Sequence, residues 1–498
     1  MLFKWLVRQM QESSPPETIE TVFVQFKQSS DFSIYEHNQH SVPYIVSYFS
    51  TMIDPQRLHR DVLPFVNDFI DLGLHQLVSK LPIDDVTVTS DPKTIKEKAL
   101  QGYIILQVKS NRSECMLLKA RVNFERDVTV PEMEFTVTGP QEAFVESLDT
   151  NINLIRKRIP IEQLKIKSLD VGTISKTKVA VMYVDHIANA ENVQTMIQRL
   201  GNLEFDQALD STIIAQMIAD NNMAMFPQFI NTERPDRVAA ALSEGKVVFF
   251  CDGSPEAVLG PTTLIEFFSS LEDYYLPWHI SSIIRFLRFI SVGFSVLATP
   301  IYVAVLTFHY ELIPRDLLAT IMSSRSNIPF PPIIEALFLE FTIELLREAG
   351  ARLPTKVGQT IGIVGGIVIG QASVEAGLTS NVLLIIVALS ALASFTTPVY
   401  QMSNTIRLLR FPFILIAAFL GGVGIVLCLV FTLAHLLSLK SLGRPYLEPI
   451  YPLRVADWKD AFIRMPFNFL QTRPVFLRTK ARSRFSFKKI VEHKDIDE

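Results

Sequence analysis

The second half of the chain is dominated by apolar segments, each long enough to suggest a helix that crosses a membrane. A helix needs about 20 apolar residues to cross the hydrocarbon core of a bilayer. Five segments approach or exceed that length: Phe289–Tyr310, Asn327–Leu346, Gly358–Gly377, Leu378–Tyr400 and Phe411–Leu439. The pattern therefore predicts an α-helical multi-pass membrane domain over residues 286–440.

The third of these segments contains glycines that recur every four residues, at Gly358, Gly362, Gly366 and Gly370. Four residues advance a helix by about 400°, so these glycines form one stripe without side chains. Inside a bilayer such a stripe lets helix backbones approach closely, because packing rather than the hydrophobic effect must hold the helices together. We therefore predict that this glycine helix is a helix-packing element.

Four side chains beside the stripe are candidates for a pore or gate. Val364 and Val368 could form a hydrophobic constriction that gates by dewetting, or they could simply face lipid or a neighbouring helix. Thr360 and Gln371 could line a hydrated path, or they could form hydrogen bonds between helices. The sequence leaves these alternatives open.

The second apolar segment carries ionisable residues at membrane depth: Glu335, Glu340 and Glu344, followed by Arg347. Such groups face a water-filled cavity or one another, because exposure to lipid costs several kcal/mol. They predict either a polar lining or gate, or structural ion pairs between helices. The Pro329-Phe-Pro-Pro332 run predicts that the helix begins at Pro332 or Ile333, since residues before proline avoid α geometry.

The first 285 residues alternate between helical and strand patterns. This alternation predicts two soluble α/β subdomains over residues 30–150 and 165–285, after a disordered N-terminus over residues 1–29. Tyr44–Ile53, Leu58–Leu74 and Ala190–Leu200 are interpreted as helices, the last with Asn189 as its candidate N-cap. The predicted strands are Val86–Thr89, Tyr103–Val108, Met116–Lys119, Lys178–Val184 and Lys246–Cys251.

Charge divides the chain in the same way as hydropathy. Residues 1–285 carry a net charge of −11, whereas residues 440–498 carry 13 basic and 7 acidic residues. No apolar core of a signal peptide follows Met1, so we expect the acidic front part to stay in the cytosol. Residues 441–498 are predicted to form a basic cytosolic tail. Its candidate lipid-binding residues are Arg473, Arg478, Lys480, Arg482, Arg484, Lys488 and Lys489.

A nucleic-acid-binding tail is the weaker alternative, and a merely solvated tail is also open. The three cysteines are far apart, and the histidines show no metal-ligand spacing. No phosphate-binding glycine motif is present. We therefore predict no enzymatic activity, no cofactor, no metal site and no nucleic-acid partner.

The topology of the five segments is ambiguous. Basic residues flank the cytosolic side of membrane helices. Arg285 and Arg288 before the first segment, together with the basic tail, favour both ends inside with one segment re-entrant. Two short loops, one carrying Arg347, Arg352 and Lys356 and the other carrying Arg407 and Arg410, instead fit five crossings with an external tail.

Several short motifs, spread over about residues 29–452, resemble one family. They are Ser30-Asp-Phe32, Gly139-Pro-Gln-Glu-Ala-Phe-Val-Glu146, Asn153-Leu-Ile-Arg-Lys-Arg158, Thr232-Glu-Arg-Pro-Asp236, Glu272-Asp-Tyr-Tyr275, Glu344-Leu-Leu-Arg-Glu-Ala-Gly350, the glycine helix and Gly443-Arg-Pro-Tyr446. In this combination the chain resembles the A subunits of GerA-type spore germinant receptors. It departs from the family pattern at Thr138, where arginine is frequent, and at Leu271, where proline is common.

The resemblance implies a membrane subunit of a nutrient germinant receptor, located in the spore inner membrane. It implies partnership with a transporter-like B subunit and a lipoprotein C subunit. It also implies a homo-oligomer, in contact with membrane lipids, that conducts ions in response to nutrients. A non-conducting membrane scaffold or signalling adaptor of the receptor complex is the alternative.

Overall fold

The protein is described by a computed structural model that covers residues 18–38, 42–83, 85–120, 131, 134, 136, 138–353 and 355–485, with the backbone alone described for residues 355–364. Within these residues two antiparallel sheets are followed by a bundle of long helices. The C-terminal residues then return to the second sheet.

The first sheet contains five antiparallel strands in the order β1-β2-β4-β5-β3. The strands are β1 (Phe32–His37), β2 (Tyr44–Phe49), β3 (Val86–Thr89), β4 (Tyr103–Val108) and β5 (Asn111–Lys119). The prediction of a helix over Tyr44–Ile53 is wrong. Strand β2 pairs with β1 and β4 and is buried on both faces, so its apolar residues do not alternate with polar ones.

Helices cover both faces of the first sheet. They include α1 (Ile19–Phe26), α2 (Leu63–Phe69) and α3 (Pro92–Ala99), with the short helical segments Pro55–Arg57, Leu58–Val62, Ile70–Leu72, Leu74–Leu77 and Val78–Lys80. The prediction of disorder over residues 1–29 is wrong for α1. Thr18 caps this helix, and Val22 and Phe26 are buried against the sheet. Residues 1–17 lie outside the described residues.

The second sheet also has five antiparallel strands, in the order β6-β7-β9-β10-β8. The strands are β6 (Leu164–Val171), β7 (Thr177–Val184), β8 (Ile230–Thr232), β9 (Val247–Cys251) and β10 (Ala257–Gly260). The helices around it are α4 (Leu148–Arg158), α5 (Ala190–Gly201), α6 (Ser211–Ile218) and α7 (Pro235–Glu244). Asn189 caps α5 by accepting a hydrogen bond from the backbone N–H of Glu191, as the sequence predicts.

A buried ion pair joins the two sheet layers. Arg156 of α4 is 2% exposed and donates two hydrogen bonds of 2.7 Å to the carboxylate of Asp31, just before β1. Ser30 also hydrogen-bonds to the carbonyl oxygen of Ile166 in β6, at 3.0 Å. The two layers are therefore fixed against each other by polar contacts that leave no buried charge unpaired.

Six long helices follow the second sheet. They are α8 (Trp278–Phe308), α9 (Arg315–Arg325), α10 (Pro332–Arg352), α11 (Thr355–Glu375), α12 (Asn381–Ser394) and α13 (Tyr400–Ser438). Helix α10 begins at Pro332, as predicted. Helices α8 and α13 are long and apolar enough to cross a membrane, with mean hydropathies of 2.1 and 2.9 over their most apolar windows. Among the described residues no other helix meets both criteria, so the multi-pass arrangement stays a prediction.

Helix α13 is broken at Gly421 and folds back as a hairpin. Gly421 has φ 58° and ψ −141°, which no helix contains. A Cβ placed on Gly424 would lie 2.5 Å from the carbonyl oxygen of Ile416, a contact that is possible only between two packed halves. The prediction of one long helix over Phe411–Leu439 is therefore wrong, and the halves are residues 400–420 and 422–438.

Both ends of this hairpin meet the sheet domain. Thr405 donates a 2.9 Å hydrogen bond to the carbonyl oxygen of Met225, and the His435 ring lies 6.1 Å from the Phe226 ring. Gly421, at the tip, packs against Phe308 at the far end of α8. The chain therefore enters and leaves the helical bundle on the side of the second sheet.

The C-terminal segment is folded onto the second sheet rather than extended as a free tail. Two short strands, β11 (Lys440–Ser441) and β12 (Arg444–Pro445), begin this segment, and Leu442 between them and Tyr446 after them enter the cores around the second sheet. The prediction of a separate basic tail over residues 441–498 is wrong for residues 441–485, because apolar and polar contacts fix them to the domain.

Candidate functional site

The ionisable residues of α10 form three levels of paired charges inside the helical bundle. At the level farthest from the sheets, Glu335 is fully buried and pairs with Arg325 of α9 at 2.8 Å. The Glu335 carboxylate also accepts a 3.3 Å hydrogen bond from the backbone N–H of Ser380, which caps α12. Glu335 thus holds α9, α10 and the start of α12 together.

The middle level is the most deeply buried. Glu340 is 1% exposed and forms an ion pair with Arg410, which is 2% exposed. Thr299 of α8 donates a 2.8 Å hydrogen bond to the same carboxylate, and Arg410 donates a 2.9 Å bond to the hydroxyl of Ser295. One acidic and one basic side chain therefore tie α8, α10 and α13 together in a dry interior.

The third level lies nearest the sheets and is more open. Glu344 is half-buried and lies 3.5 Å from Arg347 and 3.7 Å from Arg407. Arg347 also donates a 3.1 Å hydrogen bond to the side-chain oxygen of Asn404. This level carries two arginines for one glutamate, whereas each of the other two pairs one glutamate with one arginine.

The structure thus brings together the four predicted intramembrane residues and adds three basic partners that the sequence interpretation missed. The interpretation of Arg407 and Arg410 as loop residues is wrong. Both lie within α13 and are buried, with exposed fractions of 5% and 2%. Their spacing of three residues was the available signal, since it places both on one face of a helix.

The glycine helix, α11, lies at the edge of the bundle. Its main contact is with α10, where a Cβ on Gly365 would lie 2.9 Å from Leu346. Gly366 faces open space, and a Cβ on Gly370 would make ordinary contact with Leu384 at 3.7 Å. Among the glycines of α11 whose surroundings the structure describes, the close approach within one chain therefore occurs at Gly365, outside the predicted stripe, and the stripe is uncovered at Gly366.

The gate candidates are only partly described. Val368 is 57% exposed, and Gln371 donates a 2.9 Å hydrogen bond to Glu375 on its own helix. The side chains of Thr360 and Val364, and the surroundings of Gly358 and Gly362, lie outside the described residues. The assignment of a gate to these positions stays a prediction.

A charged cluster connects the sheet domain to the first long helix. Arg285, on the first turns of α8, is fully buried and contacts Asp273 at 3.0 Å. Arg288 contacts the same carboxylate at 2.9 Å. Tyr274 donates a 2.6 Å hydrogen bond to Asp460 of the C-terminal segment, and burial together with the Asp460 charge raises the pKa of Tyr274 well above its ordinary value. Sheet domain, α8 and C-terminal segment therefore meet at one rigid joint.

Family motifs that are distant in sequence converge beside this joint. Arg234 binds the Asp236 carboxylate through two hydrogen bonds of 3.0 and 2.6 Å and donates a third, of 3.1 Å, to the carbonyl oxygen of Pro140. Tyr275 donates a 3.0 Å hydrogen bond to Asp236. Gly139 has φ 114°, and a Cβ there would lie 2.5 Å from the Tyr275 ring, so the backbone conformation and the close approach both require glycine.

The carboxyl of Asp236 is held in its charged form. Burial alone would raise its pKa, but the hydrogen bonds and charge of Arg234 and the hydroxyl of Tyr275 outweigh burial, so the pKa of Asp236 lies below its ordinary value. The convergence of these motifs is structural, because each of these polar groups is hydrogen-bonded to another part of the chain.

Most of the predicted lipid-binding residues that the structure describes contact protein. Arg484 forms an ion pair with Glu244, Lys480 lies 3.3 Å from Asp185, and Arg473 donates a 2.8 Å hydrogen bond to the carbonyl oxygen of Ser243. Arg478 and Arg482 are exposed. Lys488 and Lys489 lie outside the described residues.

Comparisons with known proteins identify the family. The sequence model of the family described as "Bacillus/Clostridium GerA spore germination protein" matches residues 20–476. The chain belongs to the GerA family. It is 51% identical to spore germination protein GerQA of Bacillus cereus, over 96% of each chain. It is 48% identical to spore germination protein GerIA of the same organism, over 93% of this chain and 69% of that protein.

Among solved structures, the chain is similar to the N-terminal domain of the A subunit of the Bacillus megaterium spore germinant receptor GerK3. The identity is 24% and the TM-score 0.36, over 49% of this chain and 92% of that one. Within the residues that the structure describes, no group of three or more histidine, cysteine, aspartate or glutamate side chains could hold a metal ion.

Proposed function

We propose that this GerA-family protein is a membrane subunit of a nutrient germinant receptor in spore germination, and that copies of it form an oligomeric ion channel opened by nutrients. It would act in the spore inner membrane with a transporter-like B subunit and a lipoprotein C subunit. Family membership supports the role in germination. The surface of α11 supports the channel.

The single observation that carries the channel proposal is the uncovered face of α11. Gly366 has no atom within 4 Å of a Cβ placed on it, and Ile367 and Val368 are 62% and 57% exposed. A glycine-containing helix at the edge of a bundle is suited to close packing against helices of further copies. Repetition of α11 around an axis would line a narrow apolar path with small residues and valines.

The ion pairs of α10 favour a structural role for that helix over a pore lining. Glu335 and Glu340 are each bound to an arginine within the same chain, and both are buried. A paired, dry carboxylate does not offer a hydrated surface to a passing ion. The pore is therefore assigned to α11, and α10 is assigned to holding the bundle.

The same pairing favours a second candidate function, a non-conducting scaffold of the receptor complex. A bundle whose buried charges neutralise one another can transmit movement from the sheet domain without conducting ions. Ion flux separates the two functions, because only a channel has a constriction whose width matters.

The test measures ion release from vesicles that contain the complete receptor. Val364→Ala and Val368→Ala, made singly, are expected to leak ions without nutrient if either valine forms the constriction, because a smaller side chain widens and wets it. Val382→Ala, on α12 of the same bundle, is the matched control and should not leak. Assembled receptors that conduct no ions with nutrient, and do not leak in either variant, would leave the scaffold as the function.

A further inference from the structure

Residues 450–469 of the C-terminal segment present an unusually apolar surface to the surroundings. Eight large side chains on it are between 42% and 65% exposed, among them Tyr451, Leu453, Trp458, Ile463, Phe467 and Phe469. The inner side of the segment packs against the protein through Arg464, which is 3% exposed. Its guanidinium lies over the rings of Tyr274 and Phe467, at 5.6 and 4.2 Å from their centroids. We call this the 450–469 surface.

The 450–469 surface is continuous with the exposed apolar side of α8. Phe462 packs against Phe289 with ring centroids 5.6 Å apart, and Ser282 donates a 3.1 Å hydrogen bond to the carbonyl oxygen of Arg464. On the neighbouring turns of α8, Ile283 and Phe286 are 69% and 64% exposed. The surface therefore lies beside the N-terminal turns of α8, where the uncharged part of that helix begins.

The acidic and basic side chains of this segment point in different directions. Asp457 accepts hydrogen bonds from the backbone N–H groups of Val475 and Phe476, and Asp460 faces Arg285 and Tyr274. Both carboxylates thus point into the protein.

The outward charge is basic. Lys459 is exposed, whereas Arg454 forms an ion pair with Glu448 at 3.0 Å. A surface with outward aromatic groups, one outward lysine and inward acids complements the headgroup layer of an anionic membrane. Tryptophan and tyrosine concentrate at that layer, and basic residues there gain from the negative surface potential.

We propose that the 450–469 surface is a membrane-interface anchor, which seats its aromatic side chains among anionic lipid headgroups beside α8. The proposal rests on the membrane location in the proposed function. It assigns lipid contact to this segment instead of to Arg473, Lys480 and Arg484, which are bound to the sheet domain. The anchor would hold the joint around Asp460 and Arg285 at a fixed height relative to the bilayer.

The test uses the fluorescence of Trp458 in the full chain reconstituted into lipid nanodiscs. Trp5→Phe and Trp278→Phe leave Trp458 as the single tryptophan. We expect lipids brominated near the headgroup to quench its emission more than lipids brominated near the chain ends. The matched control, in a chain with Trp458→Phe added, is Arg482→Trp on the part of the C-terminal segment that contacts the sheet domain. It should not be quenched.

A reporter within α8 separates this proposal from the membrane location itself. Phe294→Trp, in the tryptophan-free chain, should be quenched by lipids brominated along the chains. If it is quenched and Trp458 is not, the anchor is wrong and the membrane location stands. If Phe294→Trp is also unquenched, both are wrong. If Trp458 is unquenched and its segment cross-links to a second copy, the surface is a subunit contact and the anchor is wrong.

Charge is tested in the same discs. Lys459→Gln should reduce Trp458 quenching and move its emission to longer wavelength in anionic discs, with no change in zwitterionic discs. Lys178→Gln, on the second sheet, is the matched control and should change neither. Equal quenching of the Lys459→Gln and unaltered chains in anionic discs would overturn the role of headgroup charge.

Discussion

Several buried charges in the described part of the chain form ion pairs that connect different elements. Asp31–Arg156 joins the two sheets, Asp273–Arg285 joins the second sheet to α8, and Glu340–Arg410 joins α10 to α13. Such a pair adds little net stability, because removing two ions from water offsets their attraction. Loss of one partner is costly, because the other charge stays buried alone. Each pair therefore specifies which elements meet.

The Glu340–Arg410 pair gives the first prediction. Arg410→Met should lower the free energy of unfolding of the helical bundle by roughly 3–5 kcal/mol, because Glu340 is left buried without its partner. Glu340→Leu combined with Arg410→Met should recover most of that loss. Thermal unfolding of the purified chain in nanodiscs measures both. Arg352→Met is the control, since its pair with Glu348 is 79% and 60% exposed and should be worth little. A double variant no more stable than the single one would contradict the prediction.

The second prediction concerns pH and Asp236. Its pKa in the folded protein lies below the ordinary value of about 3.9, mainly because Arg234 outweighs the opposing effect of burial. A lowered pKa stabilises the folded state above the unfolded pKa, and that stabilisation is lost as the pH falls through the folded pKa. The protection of α7 against hydrogen exchange, relative to the intrinsic exchange rate at each pH, should therefore fall below about pH 4. In Asp236→Asn the exchange should already be fast at neutral pH, with a weaker acid dependence. An identical pH profile in both chains would refute this role.

At the scale of elements, glycine decides the path of the C-terminal helices. Gly421 allows the backbone conformation that reverses α13, and Gly424 allows its two halves to touch. The hairpin brings residues 422–438 back to the sheet domain, so the C-terminal segment can complete the second core. A straight helix would instead carry that segment to the far side of the bundle.

The hairpin gives the third prediction. Gly421→Ala should destabilise it by roughly 1–3 kcal/mol, because alanine is strained at this φ and ψ and its Cβ would lie 2.9 Å from His309. Gly422→Ala is the matched control, because its backbone is helical and its Cβ would lie 3.4 Å from the same ring. Labelling of Ser483→Cys by an impermeant reagent reports the side of the C-terminus. Rising external labelling in Gly421→Ala alone is expected, and equal labelling in both variants would count against the hairpin.

The sequence predicts the type of several elements correctly, including the fully buried strand β4, but it assigns strand β2 to a helix. Strand β7 and helix α5 were predicted with nearly their observed bounds, because flanking turns and a capping asparagine mark them. Strand β2 is buried on both faces, so its apolar residues carry no period and resemble a helix. Arg410 was assigned to a loop because its partner, Glu340, is 70 residues away in sequence, and no local sequence pattern indicates that the two residues meet.

At the scale of the whole molecule, the C-terminal segment packs against both the second sheet and the start of α8. Leu442 and Tyr446 belong to the cores of the second sheet, and Asp460 reaches the joint at Arg285. The sheet domain is therefore coupled to the helical bundle through both ends of the bundle. The sheet domain and the C-terminal segment thus contact both α8 and α13, the first and the last helix of the bundle.

The last prediction separates assembly of copies from folding of one chain, using two neighbouring glycines of α11. Gly366→Leu should leave the thermal stability of the single chain unchanged, because the new side chain enters open space. It should nevertheless block assembly, since it fills the face that further copies would contact. Gly365→Leu should instead lower stability by roughly 1–3 kcal/mol, because it collides with Leu346 of the same chain at 2.9 Å. Native mass spectrometry in nanodiscs reports the number of copies, and thermal unfolding reports the fold. An unchanged number of copies in Gly366→Leu would place the subunit contact on another surface and remove the main support for a pore along α11.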